Sequence, residues 1–179
     1  MKRPSKRFEI KFAGADGQGI PLIADILAEA AFALKFRVVE SYFRETEVRG
    51  GLSTCEIIIC DCCEIDYPKA QDLDVLVALS QEGYDASIDE TSRKTKQIID
   101  SLHVGKIGRI SELFLHPLTN LSYEKAGSEE YANFMALGLA VKLIKFIKDR
   151  TILNLIKEKL PAEQREKAAK AFKEGLKLS

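Results

Sequence analysis

Apolar and polar residues follow two different periods along the first two-thirds of the chain. Phe8, Ile10 and Phe12 alternate with charged residues, which predicts a strand over 8–13, and apolar residues at helical spacing predict a helix over 21–34. Apolar runs predict strands over 37–40, 54–60 and 74–79, and shorter strands over 97–100 and 113–115, with a turn at 105–108. Strands that alternate with helices indicate an α/β fold, a single three-layer-like domain with a mostly parallel or mixed sheet.

The first strand has an unusual pattern for the centre of a sheet. Arg7, Glu9 and Lys11 occupy every second position, so one face of this strand is expected to be in contact with water. We therefore expect it to lie at an edge of the sheet or to be covered by a partner. The strands over 54–60 and 74–79 are apolar enough to be covered on both faces.

The final third is predicted to be helical. An apolar stripe that includes Phe134, Val141 and Ile147 predicts a helix over 129–149, and Pro161 begins a last amphipathic helix. Gly138 lies within the first of these helices, where close packing of another backbone is expected. We expect one domain over residues 1–179, with an α/β core over about 7–127 and C-terminal helices over about 128–178.

Composition narrows the class of partner. The chain has 179 residues, enough for one core, and its 27 Lys and Arg balance 27 Asp and Glu, so no net field favours nucleic acid or an anionic membrane. No apolar stretch approaches the roughly 20 residues that span a bilayer. The basic start is not followed by an apolar signal core, so a cytoplasmic location is expected.

Four cysteines and two histidines are the candidates for metal or redox chemistry. The cysteines have the spacing C-x4-C-x-C-C, which lacks the C-x2-C pair of common metal sites, so we expect reduced structural thiols rather than a metal site. Redox sensitivity of Cys62 or Cys63 is the remaining alternative, and a structural disulfide is not expected. His103 and His116 lie outside any triad or zinc pattern and are expected to be structural or surface residues.

Two glycine-rich segments carry the strongest functional signal. Gly14, Gly17 and Gly19 lie at a predicted strand-to-helix turn, where backbone NH groups could bind an anion, although the spacing differs from the dinucleotide and phosphate-loop motifs. Gln18 could present its amide to a ligand or cap the helix.

The second segment is Glu47-Val48-Arg49-Gly50-Gly51. The Arg49 guanidinium could bind a carboxylate or phosphate of a partner or cofactor, or it could form a local ion pair with Glu47.

Taken together, G-x-D-G-Q-G-I and E-V-R-G-G resemble the gamma subunit of the 2-oxoacid:ferredoxin (acceptor) oxidoreductases, which include pyruvate, 2-oxoglutarate and ketoisovalerate synthases. Segments 74–79, 133–138 and 170–175 extend the resemblance along the chain. Asp16 stands where the family usually has glycine, and Glu45-Thr46 replaces its usual Gly and small residue or proline. An extra carboxylate here predicts a loop that caps its own helix rather than one that holds a phosphate.

The resemblance implies an accessory subunit of a complex that converts a 2-oxoacid to acyl-CoA and CO2 and reduces ferredoxin. It implies alpha and beta partner subunits, with a delta subunit as an optional third, and these are expected to hold thiamine diphosphate, Mg and the iron–sulfur clusters, with coenzyme A as co-substrate of the complex. We expect no catalytic or metal-binding residue on this chain, which would be inactive alone. The two loops, Gly14, Gly17, Gln18, Gly19, Glu47, Arg49, Gly50 and Gly51, are expected to contact cofactor or partner subunits.

Two alternatives stay open from the sequence. The chain could be the equivalent subunit of an indolepyruvate-type oxidoreductase, because the glycine motifs are shared. It could instead be a free-standing nucleotide- or phosphate-binding module that uses the helix N-terminus after Gly19. An isolated gamma-type subunit is also expected to self-associate, because the surface that its partners should cover stays apolar.

Overall fold

The computed structural model of the chain describes residues 7–45, 51–61, 64–108 and 112–179. These residues form six strands and six α-helices, with short 3-10 turns at 88–90 and 129–131. In chain order the elements are β1 (Phe8–Ala15), α1 (Ile20–Ala33), β2 (Arg37–Arg44), β3 (Leu52–Cys60), β4 (Val75–Ala78), α2 (Gln81–Asp85), β5 (Lys96–Asp100), β6 (Glu112–His116), α3 (Leu118–Ala126), α4 (Ala132–Ile144), α5 (Asp149–Lys159) and α6 (Ala162–Gly175).

The strands form one mixed sheet in the order β2-β3-β1-β4-β5-β6. Strands β1, β4, β5 and β6 are parallel to one another, whereas β3 runs antiparallel to both β1 and β2. The predicted α/β class with a mixed sheet and a helical C-terminal third is confirmed. The connection after β1 leads to one side of the sheet, and the connection after β4 leads to the other side. The carboxyl ends of these two strands therefore lie at a topological switch point, where α/β proteins commonly bind ligands.

Strand β1 lies in the middle of the sheet, so the prediction of an edge strand with a wet face is wrong. Glu9 and Lys11 are 3% and 4% exposed. The Lys11 ammonium lies 3.1 Å from a carboxylate oxygen of Glu56 and 2.7 Å from one of Glu90. The charged residues of β1 are therefore satisfied within the chain, by residues that the local pattern does not reveal.

The two faces of the sheet are covered unequally. Helices α1, α3, α4, α5 and α6 contribute to a large hydrophobic core on one face, which the β1 residues Ile10 and Phe12 enter. The opposite face has a small apolar cluster around Leu76, Tyr84 and Ile99.

The C-terminal third differs from the single helix predicted over 129–149. Helix α4 ends where Lys145 adopts a left-handed conformation at φ 63°, and α5 begins at Asp149. The apolar stripe continues through Phe146 and Ile147, which remain buried in the core, so the pattern hides the break. Helices α2 and α3 were not predicted, because α2 has only five residues and α3 is only weakly amphipathic.

Helices α4 and α6 approach each other through two glycines. A Cβ placed on Gly138 would lie 2.2 Å from the carbonyl oxygen of Phe172, and one on Gly175 would lie 2.0 Å from that of Met135. The predicted close backbone contact at Gly138 is confirmed.

Strands β2 and β3 are longer than predicted because they pair continuously as a hairpin, from Arg37 opposite Cys60 to Arg44 opposite Ser53. Pairing of this kind does not require each residue to be apolar, so a hydrophobic pattern underestimates it. Strand β2 is an edge of the described sheet, and Tyr42 and Phe43 are exposed on it. Among the helices formed by the described residues, none has the length and apolar character needed to cross a bilayer.

Candidate functional site at the carboxyl edge of the sheet

The first glycine segment connects the end of β1 to the start of α1, at the switch point of the sheet. Gly17 and Gly19 adopt left-handed conformations, with φ of 93° and 70°, which glycine accepts without strain. Gly19 is the N-cap of α1, and a Cβ there would also lie 2.3 Å from the amide nitrogen of Asn133. Gly17 faces open space, with no atom within 4 Å of a Cβ placed on it.

Gln18 holds this loop against the neighbouring strand. Its side-chain oxygen accepts a hydrogen bond from the Ala15 amide at 2.7 Å, and its nitrogen donates to the Leu79 carbonyl just beyond β4 at 3.0 Å. The side chain also limits Gly14, where a Cβ would lie 2.5 Å from the Gln18 oxygen. Of the two alternatives left open for Gln18, capping of α1 does not occur, because the N-terminus of α1 has no side-chain cap.

Asp16 joins the loop to the β2–β3 hairpin. Its carboxylate accepts a hydrogen bond from the Arg44 guanidinium at 2.6 Å, and its backbone amide donates to the Gly51 carbonyl at 2.7 Å. The hydrogen bond to Asp16 and its negative charge raise the pKa of Arg44 above its ordinary value. The expectation that Asp16 caps its own helix is wrong, because the carboxylate points to Arg44 across the sheet.

The second glycine segment lies only partly within the described residues. Glu47, Arg49 and Gly50 are outside them, whereas Gly51 and Glu45 bound the hairpin turn. The Glu45 amide donates to the Leu52 carbonyl at 2.8 Å, next to the Gly51 carbonyl that Asp16 binds. The structure therefore brings one end of the second segment into direct contact with the first.

A cavity of about 250 Å³ opens beside the first loop, with Gly17, Gln18, Leu79, His103, Thr119, Glu129, Glu130, Ala132 and Asn133 around it. Asn133 accepts a hydrogen bond from the Phe134 amide at 2.8 Å and donates to the Gly19 carbonyl at 3.4 Å, so it ties α4 to the start of α1. The contact with Gly19 was not predicted from the sequence.

Asp100 and Thr119 were missed by sequence reasoning. Asp100 is fully buried at the carboxyl end of β5 and accepts hydrogen bonds from the Thr119 hydroxyl at 2.5 Å and the Thr119 amide at 3.2 Å. It also accepts one from the Leu102 amide at 3.1 Å. This carboxylate orients the first turn of α3 beside the cavity. A carboxylate at the end of a buried apolar strand is the signal that could have found it.

The cavity is poorly suited to a phosphate. Glu129 and Glu130 are exposed beside it and would repel an anion, and Pro21 removes one NH donor from the first turn of α1. In the part of the chain that the structure describes, no group of three His, Cys, Asp or Glu residues is arranged to hold a metal ion. The hydrogen bonds of Gln18 and Asn133 fix the shape of the surface around the cavity.

The two cysteines among the described residues, Cys55 and Cys60, differ in oxidation state. Cys55 is buried and free, and its thiol donates to a Glu40 carboxylate oxygen at 3.1 Å. Burial, followed by the hydrogen bond to Glu40, raises the pKa of this thiol far above its ordinary value. Cys60 is disulfide-bonded, so the expectation of reduced thiols throughout is wrong. Cys62 and Cys63, for which redox sensitivity was the alternative, lie outside the described residues.

The whole chain is similar to known families and proteins. The profile of the family described as pyruvate ferredoxin/flavodoxin oxidoreductase matches residues 9–178. The 2-oxoglutarate synthase subunit KorC of Methanothermobacter thermautotrophicus is 32% identical over 96% of this chain and 95% of its own length. The common gamma subunit of the pyruvate/ketoisovalerate oxidoreductases of Pyrococcus abyssi is 27% identical over 93% of this chain and 94% of its own length.

Two solved structures have the same fold. The gamma subunit of a keto/oxoacid ferredoxin oxidoreductase from Geobacter sulfurreducens superposes with a TM-score of 0.82 and 31% identity, over 95% of this chain and 96% of that one. A 2-oxoglutarate:ferredoxin oxidoreductase from Magnetococcus marinus, with 2-oxoglutarate, coenzyme A and succinyl-CoA bound, has a TM-score of 0.82 and 22% identity. The match covers 96% of this chain and 31% of that longer chain.

Proposed function

Because the chain belongs to the pyruvate ferredoxin/flavodoxin oxidoreductase family and is a gamma subunit of a 2-oxoacid:ferredoxin oxidoreductase complex, we propose that its carboxyl-edge loops form the surface that packs against the catalytic subunits. This surface consists of Gly14–Gly19 and the hairpin turn with Glu47, Arg49, Gly50 and Gly51. The proposal extends to the region where coenzyme A enters the complex, which the loops help to shape.

The observation that carries the proposal is the double contact of Asp16. One residue binds Arg44 at the end of β2 and the Gly51 carbonyl at the start of β3, so both sides of the hairpin turn are anchored to the first loop. Two glycine-rich segments about 30 residues apart thereby meet at one edge of the sheet. Gly17 has open space beside it, which leaves room for the backbone of another subunit.

We assign the cofactors of the reaction to the partner subunits. When bound there, thiamine diphosphate with Mg supplies the decarboxylation chemistry, and iron–sulfur clusters supply the path for electrons to ferredoxin. The described residues of this chain have no group that fits a metal ion, and the carboxylates of Glu129 and Glu130 beside the cavity at Gly17 would repel a phosphate. The gamma subunit would then be inactive without the alpha and beta subunits, with a delta subunit as a possible fourth partner.

We propose 2-oxoglutarate as the substrate of the complex. Four relatives, 29% to 32% identical over nearly the whole chain, are 2-oxoglutarate synthase subunits. The test is coenzyme A-dependent dye reduction by the purified complex with 2-oxoglutarate, pyruvate, 2-oxoisovalerate or indolepyruvate. The largest kcat/KM is expected for 2-oxoglutarate, whereas a preference for indolepyruvate would support the arylpyruvate alternative.

The loop surface is tested by Gly17→Asn in the assembled complex. Asparagine tolerates the left-handed conformation better than other side chains, so the loop keeps its shape while a side chain enters the open space. Recovery of catalytic subunits with the tagged gamma subunit should fall, or the KM for coenzyme A should rise at least about fivefold, which corresponds to about 1 kcal/mol.

The matched control is Gly127→Asn. Gly127 has φ of 81° and the same open space, but it lies at the end of α3 rather than in the loop. This variant should leave subunit recovery and the KM for coenzyme A unchanged. Normal assembly and KM in Gly17→Asn would overturn the surface proposal, and the same result for Arg49→Ala would remove Arg49 from the proposed site.

A further inference from the structure

In the described part of the chain no further strand pairs with the outer edge of β2, here called its free edge, and exposed aromatic side chains lie along it. Tyr42 and Phe43 are 49% and 56% exposed, and Phe32 at the end of α1 is 69% exposed. Tyr67 is 50% exposed and precedes Pro68, whose carbonyl accepts a hydrogen bond from Ser41. Exposed aromatic side chains grouped along one edge indicate a surface that another protein covers.

The backbone of β2 is well suited to pair with another strand. All of Arg37–Arg44 pairs with β3 in one continuous register, so the strand has no bulge, and its sequence contains no proline. Natural proteins usually interrupt such an edge, because a long regular strand with free NH and carbonyl groups adds further strands. Charged residues at both ends limit the pairings that can form.

The hydrogen-bonding direction of each β2 residue follows from its hairpin. The Glu45 amide donates to the Leu52 carbonyl at 2.8 Å, so Glu45 and Leu52 form a hydrogen-bonded pair. Because such pairs alternate along an antiparallel ladder, the odd-numbered residues of β2 bond to β3 and the even-numbered residues direct their NH and carbonyl groups to the free edge. Val38, Glu40, Tyr42 and Arg44 are therefore the residues that can bond to a new strand.

We propose that β2 pairs with β2 of a second copy of this chain, antiparallel across a two-fold axis at Ser41, to form one continuous sheet. In this register, residues 38–44 of one copy pair with residues 44–38 of the other. Even-numbered residues lie opposite even-numbered residues, so the backbone groups that point to the free edges can bond to each other. A two-fold axis at Glu40 would oppose two Glu40 carboxylates, and an axis at Tyr42 would pair only residues 40–44 of β2.

Side chains across the proposed axis are complementary on both faces. On the face with the small apolar cluster, Phe43 lies opposite Val39 of the second copy, and Arg37 lies opposite its Glu45. On the helix-covered face, Tyr42 and Arg44 of the second copy lie opposite Glu40 and Val38. There they meet a groove of about 270 Å³ with Asp25, Ala28, Glu29, Phe32, Val38 and Glu40 along it. This groove offers an aromatic ring to Tyr42. Its Asp25 and Glu29 carboxylates pair with Lys159 and Arg44 pairs with Asp16 of its own copy, so the charges attract across the axis without a new ion pair.

Cysteine cross-linking of the full-length chain tests the register. In the proposed pairing, Ser41 and its symmetry mate form a non-hydrogen-bonded pair with Cα atoms about 4.5 Å apart, within the range of a disulfide. Ser41→Cys should give a covalent dimer under mild oxidation, well above the level of the wild-type chain with its own cysteines. The same dimer should form in the assembled complex.

The matched control for register is Phe43→Cys. Phe43 lies opposite Val39, so two copies of residue 43 are separated by about 14 Å along antiparallel strands and cannot form a disulfide. A Ser41→Cys yield no higher than wild type, or an equal yield from Phe43→Cys, would overturn the proposed axis.

A proline substitution tests the backbone contact without reliance on cysteines. The Tyr42 amide points away from β3, so Tyr42→Pro leaves the hairpin intact but removes a donor from the free edge. Tyr42→Ser is the control, because it removes the same ring and keeps the amide. Sedimentation of the full chain should give a dimer dissociation constant at least about tenfold higher for Tyr42→Pro than for Tyr42→Ser.

Equal dissociation constants for the two variants, or a wild-type chain that is monomeric both alone and in the complex, would overturn the proposal. These outcomes are independent of the catalytic-subunit surface. Gly17→Asn acts at the glycine loop, and the β2 variants act at a different edge of the sheet.

Discussion

The face of the sheet beneath α1, α4 and α6 is packed with aliphatic and aromatic side chains, whereas the opposite face has charged side chains at its centre. Ile10 and Phe12 of β1 enter the large core, and Lys11 between them points to Glu56 and Glu90. The same strand thus contributes apolar packing on one side and an ion-pair network on the other. We therefore expect substitutions on the two faces to lower the free energy of unfolding by different amounts.

The largest loss of stability is expected where α4 and α6 are in closest contact. Gly138→Ala places a methyl group against the carbonyl oxygen of Phe172 at 2.2 Å, so α4 and α6 must separate. We expect the free energy of unfolding to fall by about 3 kcal/mol, the upper part of the range for overpacked sites. Urea unfolding of the variant and the wild type measures this difference in free energy. Gly105→Ala, which meets no atom within 4 Å, is the control and should change stability little.

A smaller effect is expected on the charged face. Lys11→Met removes a buried cation and leaves Glu56 and Glu90 facing each other, but both carboxylates reach solvent in part. We therefore expect a loss of about 2 kcal/mol, less than for a fully buried ion pair. Lys96→Met removes a more exposed pair with Glu112 at 3.8 Å and should cost at most about 0.5 kcal/mol. A loss for Lys11→Met no larger than for Lys96→Met would contradict the central role of the network.

The smallest effect concerns Cys55 on the helix-covered face. Its raised pKa means that the folded state keeps the thiol protonated where the unfolded chain, with a pKa near 8.5, already ionises. The stability that this thiol contributes is present below about pH 8.5 and declines as the pH rises further. The difference in unfolding free energy between wild type and Cys55→Ala, measured from pH 7 to 10, should shrink with pH. A constant difference would contradict the assignment.

The sequence pattern predicts the alternation of strands and helices and the position of the glycine turn, because local periodicity determines both. It does not predict that β1 is central. Lys11 finds Glu56 and Glu90 on elements 45 and 79 residues away, and such pairing leaves no local signal. The boundary between α4 and α5 is hidden for a different reason, because the apolar stripe continues across it through Phe146 and Ile147.

The candidate site was only partly predictable. The glycines were correctly placed at a turn, because positive φ and close approach restrict those positions to glycine. The partner of Asp16 is Arg44, which becomes its neighbour only through the order of strands in the sheet. Asp100 and Thr119 likewise meet only because α3 follows β6 next to β5.

The central position of β1 also bears on biosynthesis. This strand is the first described element to leave the ribosome, yet its neighbours β3 and β4 follow only at residues 52–60 and 75–78. Until then the apolar side of β1 and α1 has no sheet to join, and the helices that cover it are made last. The nascent chain therefore exposes its core-forming surface through most of its synthesis, which makes an incomplete chain more prone to aggregation than the finished one.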